Sequence, residues 1–93
     1  MEEQYGSIRW ERVRPGDDTL PTLTYRLYAG RVEGRDSFSL QCVTPQGTAL
    51  YEREAYLFDV TSDAVTAERL LFLLWEGAVT PYALAETVEE WMG

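Results

Sequence analysis

Ninety-three residues, 45% of them apolar and 13% aromatic, make one domain (residues 1–93) with a core of its own and argue for a folded globule over a disordered chain. Sixteen acids against eight arginines leave a net charge of −8, which makes nucleic-acid backbones and anionic membrane surfaces poor partners. The lone cysteine, Cys42, rules out an internal disulfide, and the absence of histidine removes Ser-His and Cys-His catalytic pairs and ordinary zinc sites.

Residues 1–6 are expected to be a disordered terminus. The polar start MEEQYGS does not read as a signal peptide, and no apolar run is long enough to span a bilayer, so the expected compartment is the cytoplasm. Ser7 to Val13 alternates, with Ile8, Trp10 and Arg12 on one face. That pattern fits a short first strand, although an ordered tail would look similar. Arg14-Pro15-Gly16-Asp17 fits a type II turn, with proline at its second position and glycine at its third.

From Thr22 the alternation is plain: Leu23, Tyr25 and Leu27 point inward, Thr24, Arg26 and Tyr28 outward, to about Val32. Gly34 and Asp36 supply turn chemistry for a hairpin. The next strand, Ser37 to Thr44, places Phe38, Leu40 and Cys42 on one face. Cys42 then reads as a small core residue rather than a reactive thiol. Pro45-Gln46-Gly47 closes a second hairpin. The last strand, Thr48 to about Phe58, is ambiguous. Tyr51, Arg53, Ala55 and Leu57 share one parity and Leu50, Tyr56 and Phe58 the other, so either a bulge at Arg53–Ala55 or an aromatic outer face is required.

Two helices follow over residues 62–92. Ser62 is the expected cap of the first, with Asp63 set against the positive end of the helix dipole. Ala67, Leu70, Leu71 and Leu74 form one apolar stripe. Gly77 suits a left-handed stop, and Thr80-Pro81 restarts the chain as cap and first helical residue. Leu84, Val88, Trp91 and Met92 give the second helix its stripe. The order is (β)βββαα: an α+β fold in which an antiparallel three- to four-stranded meander over residues 7–58 carries both C-terminal helices on one face.

DVTSD (59–63), LLFLLWEGAVTPYAL (70–84) and ETVEEWM (86–92) resemble a family of small uncharacterised Firmicutes proteins catalogued as a domain of unknown function. TYRLYAGRVEGRDSFSLQCV resembles its sheet region more loosely. The resemblance implies no activity, cofactor or catalytic residue. The chain departs from the family pattern at Val65 and Phe72, which replace residues commonly charged there, and at Trp75, which replaces a polar one.

Those three residues matter because LLFLLW (70–75) is apolar all round for nearly two turns. Val65 and Phe72 lie opposite the main stripe, beside Arg69 and Glu76. Either the second helix covers them, or Val65, Phe72 and Trp75, with Trp10, form an interface for a second copy or another protein. The remaining chemistry is carboxylate chemistry: Asp17-Asp18 in a loop, Asp59 and Asp63 at the helix start, and Glu86, Glu89 and Glu90 along the second helix. These read as loop, cap and solvated face, so no catalytic, cofactor or metal residue is assigned. The acidic second helix also argues against a DNA-reading helix pair. The expected function is therefore a protein-interaction or regulatory module. The alternative is a small-ligand binder or enzyme with a pocket between sheet and helices, using Tyr25, Tyr51 or acidic groups.

Overall fold

The computed structural model describes residues 6–45 and 53–93. The expected turn at 46–47 and the first residues of the last strand, including Leu50 and Tyr51, lie outside the described residues, as do residues 1–5. Four strands, β1 (Ser7–Arg14), β2 (Leu23–Val32), β3 (Arg35–Val43) and β4 (Glu54–Thr61), form one antiparallel sheet in the order β1-β2-β3-β4. Helix α1 (Ala64–Glu76) follows, then a single 3₁₀ turn at Pro81–Ala83 and helix α2 (Leu84–Met92). The α+β meander with two C-terminal helices on one face stands, with four strands and β1 paired within the chain.

The core lies where alternation and helical periodicity meet. Leu23, Tyr25 and Leu27 of β2, Phe38, Leu40 and Cys42 of β3, the α1 stripe Ala67, Leu70, Leu71 and Leu74, and Leu84 and Val88 of α2 are all buried. Each fully buried leucine contributes about 1.5–3 kcal/mol by leaving water. Tyr25 and Cys42 are cross-strand partners, and both donate to the carbonyl of Val79, at 2.7 and 3.5 Å. That carbonyl sits in the α1–α2 connection, so one acceptor ties the helical layer to the middle of the sheet.

The opposite face of the sheet carries a polar row alongside aromatic side chains. A hydrogen-bonded row crosses all four strands, from Glu11 to Arg26 at 2.7 Å, Arg26 to Gln41 at 3.4 Å and Gln41 to Glu54 at 2.6 Å. Tyr28 adds a hydroxyl donor to Gln41 at 2.7 Å.

Local geometry departs from the sequence expectations at several points. Arg9 is an extra residue in β1: Ile8 opposes Tyr28 while Trp10 opposes Leu27. The bulge therefore puts Ile8 and Trp10 on opposite faces of the sheet. Gly16 has no positive φ, so the type II turn is replaced by a loop that Asp17 organises through the amides of Thr19 and Leu20. Glycine is needed at 16 for space, because an added Cβ would lie 2.6 Å from the backbone of Leu20, Pro21 and Thr22. The β2–β3 hairpin closes on Glu33-Gly34, both at positive φ, a two-residue type I′ turn. Asp36 lies in β3 and pairs with Arg31.

In β4 the irregularity falls at Asp59, at φ 54°, rather than at Arg53–Ala55. Asp59 accepts from Arg35 and Ser37, and its amide donates to Ser39. Ala55 and Leu57 pack toward the core, Arg53 is exposed, and Tyr56 and Phe58 supply the aromatic outer face. β4 runs on to Thr61, and the cap of α1 is Asp63 rather than Ser62, its carboxylate accepting from the Thr66 amide at 2.8 Å. At the other end Ala78, not Gly77, takes the left-handed position. Val79 N–H then bonds to Leu74 and Ala78 N–H to Trp75, the 6→1 and 5→2 pattern of a Schellman stop.

Candidate protein-interaction groove

Helix α1 lies chiefly over β2 and reaches β1, while α2 packs against β4. The second helix therefore never covers the far side of α1. Val65 is 70% exposed and Phe72 45%. The sequence left open whether α2 covered these two residues or left them as an interface; α2 does not cover them, and Phe72 is only flanked by Trp10 and Trp75.

The β1 bulge turns Trp10 to the helical side of the sheet, beside Phe72. Trp10, Arg12, Glu68, Leu71 and Phe72 line a shallow groove of about 170 Å³ between β1 and α1. Glu68 fixes its wall: one carboxylate oxygen accepts from the Trp10 indole N–H at 3.1 Å and from Arg9 at 3.3 Å. Trp10 is thereby held half-exposed, with its ring available. Val65 continues the same surface along α1, two turns before Phe72.

Trp75 is placed differently. Its ring stacks at a tilt on Phe72, with centroids 6.3 Å apart. Its indole N–H donates to Val13, and Arg12 and Arg14 lie over the ring at 4.9 and 5.6 Å. Arg14 also donates to the Trp75 carbonyl at 2.9 Å, a second donor beside the Ala78 N–H, and places positive charge at the negative end of the α1 dipole. The structure thus brings Trp10 and Phe72 to the groove, puts Val65 on its flank, and makes Trp75 the half-buried wedge that fastens α1 to β1.

The sequence offered Arg9, Arg12 and Arg14 beside Trp10 as a contact for RNA or an acidic protein, or as charges guarding a strand edge, but it did not single out Glu68 or Leu71 for this site. Glu68 was findable, because it lies three residues after Val65 and four before Phe72 on one helix face. Its partnership with Trp10 was not, because it depends on the bulge.

Tyr25 and three of the aspartates are engaged in holding the fold, and Tyr51 lies outside the described residues. Tyr25 is fully buried in the sheet–helix layer, and burial raises its pKa. Asp17, Asp59 and Asp63 are held below the usual carboxylate range by their hydrogen bonds, to Thr19, to Arg35 and then Ser37, and to Thr66 respectively. Each is a structural acceptor. Among the described residues no cluster of acids and cysteine is arranged to hold a metal ion, and no helix is long and apolar enough to cross a membrane.

The model of a family of unknown function, DUF6514, matches residues 8–93. No curated protein and no solved structure matches the chain.

Proposed function

The chain belongs to that family of unknown function, and from this premise we propose that it is a protein-interaction module that associates with a second copy through the Trp10–Phe72 groove and the adjoining Val65. The observation that carries this reading is Phe72. A large aromatic side chain stands 45% exposed on a helix whose other face fills the core, next to a tryptophan whose indole is already oriented by Glu68. Aromatic residues held rigidly at a surface lose little entropy on contact and bury much area, which is why they anchor interfaces. At about 170 Å³ the groove falls below the range of small-molecule sites and suits an inserted side chain.

The cytoplasm is the compartment we assign. The single, fully buried Cys42 agrees with a reducing environment.

The test is solution mass by light scattering on the wild type and on Phe72→Glu, with circular dichroism to check folding. A wild type that associates with concentration and a folded, monomeric variant support the reading. A wild type that stays monomeric throughout overturns it.

A further inference from the structure

The molecule carries two surfaces of opposite character on opposite flanks. Arg12 and Glu68 line the groove, Arg9 and Arg14 lie on the same strand as Arg12, and Arg69 and Glu76 flank Phe72 on α1, on a chain whose net charge is −8. Among the described residues Arg12 and Arg69 form no ion pair. On the β4 side, α2 carries Glu86, Glu89 and Glu90, and no basic residue follows Arg69 in the sequence. The same helix leaves Trp91 and Met92 exposed at 41% and 44%, although periodicity had assigned both to its buried stripe. Only Leu84 and Val88 of that stripe are covered.

We infer that the occupant of the groove is the α2 end of a second copy, with Trp91 entering beside Trp10 and Phe72 and the α2 glutamates facing Arg12 and Arg69. This deepens the reading proposed above and rests on it. Two arguments select this arrangement. A groove-to-groove contact would bring together two surfaces on which arginines outnumber glutamates, and like net charge disfavours an interface, whereas α2 brings the complementary sign. Because the groove lies by β1 and α2 lies by β4, a copy cannot fill its own groove. The contact is heterologous, so copies assemble head to tail and close into a ring or extend according to the rotation between them. The contact rests on one inserted tryptophan and a few exposed charge pairs, so association is weak and dependent on concentration and salt.

Complementation tests this. One variant disables the groove (Phe72→Glu, or Arg69→Glu at an exposed position if the first does not fold). The other reverses the helix (Glu86→Lys, Glu89→Lys and Glu90→Lys together, all exposed positions). By sedimentation velocity each variant alone is monomeric, and their equimolar mixture gives a species of twice the monomer mass and nothing larger, because only one competent groove and one competent helix remain per pair. A helix variant that self-associates like the wild type overturns the head-to-tail inference while leaving the groove reading standing. A wild type that is monomeric at all concentrations overturns both.

Discussion

The indole N–H of Trp75 donates to the backbone carbonyl of Val13 at 3.0 Å. This bond joins the last turn of α1 to an edge strand in which no residue is fully buried. β1 pairs with β2 on one side only, and α1 supplies its other attachment. Replacing Trp75 by Phe keeps a ring and removes the donor. We expect a loss of about 0.5–1.5 kcal/mol, the net worth of one such hydrogen bond. Amide exchange separates this from general destabilisation: protection falls first in Ser7–Arg14, while Leu23–Val32 changes only with global stability.

The β2–β3 turn offers a gain. Glu33 occupies φ 51°, a left-handed conformation that a side chain with an ordinary Cβ adopts at a cost and asparagine adopts readily. Glu33→Asn should stabilise the fold by roughly 0.5–1 kcal/mol, raising Tm by about 2–8 °C for a domain of this size. An unchanged or lowered Tm in a calorimetric scan would remove the type I′ assignment.

Cys42 should be chemically silent while the protein is folded. Burial pushes its thiol up to about 12, and no part of it reaches solvent. Thiolate is the reacting species, so disulfide-exchange labelling at pH 8 should run at least ~100-fold slower in the folded protein than in denaturant. The same burial sets an alkaline limb. Cys42 and Tyr25 stay neutral in the fold but ionise near their usual values once unfolded, so stability is complete below about pH 8.5 and declines as pH rises through the range of those unfolded groups.

The acid limb has the opposite origin. Asp59 is held down chiefly by its hydrogen bond to Arg35 and then by Ser37, and Asp63 by Thr66. A carboxylate whose folded pKa is depressed adds stability above its unfolded value, near 3.9, and loses that contribution as pH falls through the folded pKa. Denaturation midpoints should be flat from pH 7 to about 5 and fall below pH 4. Asp59→Asn keeps a residue suited to the left-handed bulge position and should make that fall shallower. An unchanged acid limb would show that Asp59 carries none of it.

Much of this fold was legible because two periodicities were unbroken. Leu23-Tyr25-Leu27 and Phe38-Leu40-Cys42 keep strict alternation, and Ala67-Leu70-Leu71-Leu74 keep strict helical spacing; all are buried. What misled was local. The extra residue Arg9 reverses the face of Ile8 relative to Trp10, and a bulge of that kind leaves no mark in hydropathy. Gly77 looked like the left-handed stop, yet the chain turns one residue later at Ala78, where packing against the core outweighs the ~1 kcal/mol strain of a left-handed alanine. Trp91 and Met92 fit a helical stripe, but α2 outlasts the surface it packs on, so periodicity assigned a partner that is not there. The exposed Val65 and Phe72 were legible as surplus apolar residues on a helix already supplied with a core face. Their joining to Trp10 was not, because that proximity is made by the bulge and by Glu68.

The groove and its occupant can be read together in a dilution series of nitrogen–proton correlation spectra, since the three tryptophans give three indole N–H signals. The account predicts that the Trp10 and Trp91 signals move with concentration along one binding curve while that of Trp75, bonded to Val13, moves least. Indole signals that are all independent of concentration up to about 1 mM, a range that captures even millimolar association, would contradict it.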